Sequence, residues 1–181
     1  MAGALRRFSH ASGGAAAVEF AMVLPFLVFL YVGASELSLA VTANRKIDNT
    51  SATISDLVTQ AGDEGLTVSE LNFIMALSKA SMEPFDAGKA TIRVTQVFID
   101  AQGVSRVDWS SDASTYPRNR LFPLPAGIAN QRERHVIVTE TSFRYEPVMS
   151  FGIIDPIEMK RVAYHQPRTV AQVRCTDCPV G

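Results

Sequence analysis

The sequence predicts an α+β protein: an N-terminal transmembrane helix that runs on into a soluble head holding a second helix and an antiparallel sheet of about four strands. Three observations carry this. Between Ala15 and Ala34 the only charged residue is Glu19, and a helix of about 20 residues spans about 30 Å, the hydrocarbon thickness of a bilayer. Apolar residues then keep helical spacing as far as Gly62, and beyond Ala90 the period becomes strand-like alternation. A chain of 181 residues has room for one modest domain besides such an anchor.

The elements divide the chain into a basic leader (1–14), a transmembrane helix (15–43) and an extracytoplasmic α+β domain (44–181) whose tail, 167–181, leans toward disorder. The leader, "MAGALRRFSHASGG", carries Arg6 and Arg7, no acid, and only Leu5 and Phe8 as bulky apolar residues. A secretory signal would place its apolar region before the cut, and here that region follows Gly14. Two basic residues, Arg45 and Lys46, lie beyond the span, so charge bias alone supports an N-inside orientation weakly. The leader is too short to hold a domain, which favours the head outside. Pro25 removes one backbone donor inside the span and is expected to kink it.

Past the span, Ile47, Ile54, Leu57, Val58 and Ala61 form one stripe, with Asn49, Ser51, Ser55, Asp56 and Thr59 on a polar face. One helix from about Ala15 to Gln60 follows, stopped by Gly62 and Gly65. In "TVSE", Thr67 caps a second helix while Glu70 reaches back to it. Val68, Leu71, Ile74, Met75 and Leu77 make its buried face, and Pro84 ends it. "ATIRVTQVFID" (90–100) alternates at Ile92 and Val94, then changes phase at Val97 and Ile99, which predicts a bulge near Gln96. Asp100 to Gly103 turns the chain into a second strand, 104–109. Strands at 134–147, with Ile137, Thr139, Thr141, Phe143 and Tyr145 on one face, and at 157–166 complete the sheet. The intervening stretch, Ser110 to Gln131, is long enough to be functional or mobile.

Chemistry concentrates at Gly14-Ala15-Ala16-Ala17-Val18-Glu19-Phe20. A glycine closes a short basic leader, and a glutamate is fifth after it, at the head of a hydrophobic helix. This resembles the pattern by which prepilin peptidases recognise type IV pilin-like precursors. Gly14 has no side chain to obstruct a protease cleft. A cut after it makes a new ammonium at Ala15, a partner for the Glu19 carboxylate of a neighbouring subunit, and paired charges tolerate burial. The alternative is a glutamate near the headgroup end of an ordinary anchor, at a cost on the order of 1 kcal/mol. The small residues of "AVTA" (40–43) offer a rival cut before Asn44, behind an apolar region longer than signal peptides use.

"GGAAAVEFAMVLPFLVFLYVGASEL" resembles the start of the TadE/TadG-like pilus-assembly family, with Gly33, Glu36 and Leu37 at the far end of the span. "FRYEPVMSFG" is similar to the aromatic-x-aromatic-x-Pro strand of that family's outer domain. The resemblance implies a TadE- or TadF-type pseudopilin of the tight-adherence (Flp) system: a pilin-like fold, single-pass in the bacterial inner membrane, N-terminus cytoplasmic and head periplasmic. It implies trimming by a prepilin peptidase between Gly14 and Ala15, with Glu19 serving recognition and assembly beside Phe20. The implied partners are that peptidase, other pilins and pseudopilins, the inner-membrane assembly platform and the lipid bilayer. Ala15 departs from the phenylalanine that opens many type IV pilins, which puts N-methylation of the new terminus in question.

Other functions find little support. A net charge of −1 with no Lys/Arg run beyond two argues against nucleic acid. Neither G-x-S-x-G nor a phosphate loop occurs. His135 and His165 lack metal-ligand spacing, so no metal, cofactor or enzymatic activity is expected. Asp108 with Ser110, and Arg132-Glu133-Arg134, read as solvated strand ends. Cys175 and Cys178 form a CxxC near the chain's end, read as a candidate local disulfide or a pair of free thiols. The competing function is an uncleaved, membrane-tethered periplasmic scaffold or binding protein, using Trp109, Tyr116 and Phe122 of the long loop as its surface.

Overall fold

The computed structural model describes residues 12–149 and 155–179; most of the basic leader lies outside them. Helix α1, Ser12–Thr59, is 48 residues long and contains Pro25. Its N-terminal part is long and apolar enough to cross a membrane, and none of that apolar window is buried in the head. Helix α2 is Val68–Ala80. Strands β1 (Ala90–Ile99), β2 (Ser105–Ser110), β3 (Arg134–Tyr145) and β4 (Ile157–His165) follow, with a short α3, Ala126–Ala129, between β2 and β3. The sheet is antiparallel throughout, in the order β2-β1-β3-β4. Helix α1 lies across β3 and β4 and also touches α2.

The head-packed half of α1 buries Ala43, Ile47, Ile54 and Val58. Between them, Thr50, Ser51, Ser55 and Thr59 are buried as well, although Ser51, Ser55 and Thr59 were expected on the solvent face. Leu57, expected inside, is instead exposed. Small hydroxyl side chains let the helix approach its neighbours closely, and each finds a polar partner on the sheet, on its own helix or, for Thr50, at the Ser81 hydroxyl just after α2. Ser55 Oγ donates to Thr139 Oγ1 at 2.8 Å, Ser51 Oγ donates to the Thr139 carbonyl at 3.3 Å, and Thr59 Oγ1 donates to the Asp56 carbonyl. A buried hydroxyl with a partner carries little desolvation cost.

Thr67 caps α2 as its sequence predicts. Its hydroxyl accepts from the Glu70 N–H, while the Glu70 carboxylate accepts from the Thr67 N–H at 2.8 Å. The Thr67 N–H foremost, and then the Thr67 hydroxyl, both donating to the Glu70 carboxylate, hold that carboxyl below its ordinary range. Leu71 is the buried apolar anchor of α2; Leu77, expected beside it, is exposed.

Strand β1 does not bulge. Its pairing with β3 is unbroken from Ala90↔Phe143 to Ile99↔Arg134. The irregularity falls in the β1–β2 pairing, where Gln96 faces Trp109 and Val97 faces Val107, so Asp108 is the extra residue and belongs to β2. The change of phase in β1 has another cause: both faces of the sheet are covered. Val94 and Ile137 meet α1 with Ile54 and Val58. Val97, Ile99, Val136 and Val138 pack on the opposite face against Phe122, Tyr116, Leu124 and Ile128 of the long connection.

That connection is folded onto the sheet. Arg93 binds Asp112 at 2.8 Å and Glu140 at 3.3 Å. The hydroxyls of Ser114 and Thr115, then Arg93, hold the Asp112 carboxyl well below the carboxylate range. Backbone bonds from Val107 to Arg120, Asn119 to Val107 and Phe122 to Ser105 line the open edge of β2. An edge covered in this way is closed to strands of other chains.

Residues 167–179, expected to lean toward disorder, dock on the head. The Val173 N–H donates to Gln96 Oε1 at 3.0 Å, and Trp109 Nε1 donates to the Val173 carbonyl at 2.8 Å. Leu66 pairs with Cys175 as a parallel bridge. Gln96, isolated in an apolar stripe of sequence, is fully buried because the tail and Asp108 use both ends of its amide. Cys175 and Cys178 are joined in a disulfide. Gly65 makes this docking possible: its φ is +78°, and a Cβ there would stand 2.4 Å from the Arg174 carbonyl oxygen. Gly65→Ala should lower the stability of the full-length chain by about 1–3 kcal/mol, measured by denaturant titration in detergent. Unchanged stability would contradict the docked tail.

Candidate functional site

Gly14, Ala15, Glu19 and Phe20 all lie in the first turns of α1. A Cβ added at Gly14 would meet nothing within 4 Å, so the glycine is not required by packing inside this chain. Glu19 and Phe20 are exposed, and among the described residues no hydrogen bond or ion pair engages the Glu19 side chain. Around them Val18, Met22, Phe26 and Phe29 are each more than half exposed. The arrangement presents one carboxylate, a turn from Ala15, on a helix surface that only lipid or other helices can cover favourably.

At the other end of this apolar stretch the head grips the helix. Glu36, half-buried, accepts a hydrogen bond from the Tyr145 hydroxyl at 3.2 Å through Oε2. The same carboxylate accepts the Val148 N–H at 3.2 Å and the Met149 N–H at 2.7 Å. Three donors therefore converge on one acceptor, an arrangement suited to an ionised carboxylate. Burial, and then the Glu36 carboxylate, push the Tyr145 hydroxyl above its ordinary range, so it remains the donor. Tyr145 is itself buried with Phe143, Ala43, Ile47 and Met82, and Phe85 packs edge-on against both rings. Lower on the same helix, Asn44 and Asp48 receive Arg161 of β4 at 2.6 and 3.1 Å.

The Glu36 junction escaped sequence reasoning. Both segments carried a signal in the resemblance, Gly33…Glu36-Leu37 and "FRYEPVMSFG", but nothing in their spacing says that they meet across 109 residues. The remaining candidates are placed as follows. Trp109 and Phe122, offered as an interaction surface, belong to the core, and Tyr116 packs beside Phe122. Asp108 and Ser110 are not solvated strand ends: Ser110 is buried on Thr95, and Asp108 accepts from Gln96, Gln172 and Arg118. Arg132, Glu133 and Arg134 are exposed. His135 stacks on Phe98 and lies 3.9 Å from Asp108, its imidazole pushed toward the neutral form by burial. Among the described residues no group of three or more His, Cys, Asp or Glu could hold a metal.

The family model described as TadE-like protein matches residues 14–55. The matched segment begins at Gly14, includes Glu19 and Glu36, and ends where α1 packs on β3. Over that segment, which is less than half of the chain, the protein is similar to TadE-like proteins. No curated protein and no solved structure matches the chain.

If Glu36 is the clasp between helix and head, Glu36→Ala leaves the Val148 and Met149 N–H groups without their acceptor. The expected cost is about 1–3 kcal/mol, against about 1 kcal/mol for Tyr145→Phe. Amide hydrogen exchange of the full chain should accelerate at Val148 and Met149 in the first variant. Protection equal to that of the unsubstituted chain would dismiss the clasp.

Proposed function

We propose that this TadE-like chain is a minor pilin-like, membrane-anchored component of tight-adherence (Flp-type) pilus assembly, cut by a prepilin peptidase after Gly14. The observation that carries the proposal is the state of Glu19: an exposed carboxylate, five residues after a glycine, on an apolar helix face that the head leaves bare. Inside a bilayer such a group needs a counter-charge. The ammonium created at Ala15 by the cut provides one on each neighbouring subunit, so processing and assembly become chemically linked. The role is structural rather than enzymatic.

The anchor belongs in the bacterial inner membrane, with the leader cytoplasmic and the head periplasmic. The Cys175–Cys178 disulfide supports an oxidising location for the head. Helix α1 then serves two purposes along its length: the bare half is available to the bilayer and to other pilus subunits, and the second half organises the head. The partners that follow are the peptidase, other pilins or pseudopilins, and the assembly platform.

Intact-mass measurement of the protein from its native membrane should give a chain beginning at Ala15. A chain beginning at Met1 supports an uncleaved tethered scaffold instead, and one beginning at Asn44 removes the membrane anchor altogether. Separately, Glu19→Ala should leave membrane insertion intact while piliation is lost. Normal piliation in that variant would remove Glu19 from the assembly mechanism.

A further inference from the structure

The clasp at Glu36 fixes more than the angle of the head. Its two backbone donors, Val148 and Met149, carry apolar side chains that are 76% and 50% exposed. Contacts along α1 show which way this loop points. Thr59 meets Arg168, Ser55 meets Thr139, and Glu36 meets Tyr145 and Met149, so the end of β3 is directed toward the apolar segment. Glu36 is two residues beyond Ala34, where the uninterrupted apolar run ends, a rise of about 3 Å. Leu37 and Val41, on the next turns of α1, are also exposed, and Ala43 is the first fully buried residue of the helix.

We propose that the 147–149 loop is a membrane-seating surface, with Val148 and Met149 inserted in the interfacial layer of the bilayer beside α1. The proposal rests on the reading of α1 as a membrane span. Given that span, the loop's depth is dictated by covalent and hydrogen-bonded geometry: its backbone is tied to a side chain at the boundary of the hydrocarbon. Isolated exposed apolar residues are ordinary on protein surfaces. These two are distinguished by being held at the one level where lipid, rather than water, adjoins the helix. The Glu36 carboxylate suits that level because its three donors replace the water that lipid would displace. The Lys89–Glu146 ion pair at 2.5 Å and the exposed Arg144 lie next to the loop, where headgroups meet water. The bilayer therefore becomes the third support of the head, after α1 and the clasp, and limits tilting of the head relative to the membrane surface.

The test uses the full-length chain in phosphatidylcholine vesicles, with its native cysteines kept as the disulfide and an environment-sensitive fluorophore attached at M149C or at V28C. Emission from M149C should be blue-shifted by its lipid surroundings and extinguished by shallow lipid-borne quenchers, while deep quenchers should act on V28C. Water-like emission at M149C, with full access to iodide, overturns the seating surface while V28C upholds the span. Loss of lipid quenching at V28C as well means that the span reading itself has failed. Shielding of M149C without lipid quenching, diminishing as protein is diluted in the vesicles, assigns the loop to a protein neighbour and also overturns the proposal. Adding Glu36→Gln places an amide among the donors and should reduce lipid quenching at M149C with no change at V28C. Undiminished quenching there would show that Glu36 does not hold the loop at the membrane.

Discussion

The packing of the second half of α1 across β3 supports everything else in this molecule. A single helix must satisfy two surroundings along its length, and the change between them happens without a break in its backbone. On the head side the seam is made of small residues, Ala43, Thr50, Ser51 and Ser55, interleaved with Ile47, Ile54 and Val58. The serines matter because Thr139 offers them both a hydroxyl and a carbonyl. A seam of this kind is close enough to exclude water and polar enough to hold one register. Sliding the helix by one turn would leave the hydroxyls of Ser55 and Thr139 without each other.

From that seam the rest of the head is arranged in two layers of cover. One face of the sheet takes α1, α2 and the docked tail; the other takes the long connection from Ser111 to Gln131. Asp108 joins the two. As the extra residue of β2 it collects Gln96, Gln172 and Arg118, which brings the central strand, the tail and the connection to one carboxylate. Beyond Val173 the disulfide closes the tail where Arg174 and Thr176 bond the Leu66 backbone and Asp177 accepts the Val68 N–H.

At the opposite end of the seam, Glu36 links the head to the helix where the helix leaves it. Two glutamates thus serve α1 in contrasting ways. Glu36 is satisfied within the chain by three donors. Glu19 has no such partner among the described residues and stands on a bare apolar surface. A carboxylate satisfied internally supports architecture, and one left open asks for a partner outside the chain. The TadE-like match spans both.

By itself the sequence determined the α+β class, the long helix, the capping box at Thr67 and Glu70, and all four strands to within two residues. These depend on local patterns: apolar period, caps and turns, each readable within about a dozen residues. It also singled out Gly14, Glu19 and Phe20, since the pattern from which their processing role is proposed is contiguous. Tertiary structure alone decided that Ser51, Ser55 and Thr59 are buried, because polarity says nothing about a partner such as Thr139 that lies far along the chain. It decided that β1 is covered on both faces and that the bulge belongs to β2, because a change of apolar phase reads the same whether the backbone bulges or the core changes sides. It decided that the tail is docked, since Gln96, Trp109 and Gly65 reveal their purpose only when Val173 and Arg174 are beside them. And it decided the meeting of Glu36 with Tyr145 and Met149, a contact set by the antiparallel course of α1 and β3 rather than by any spacing in the chain.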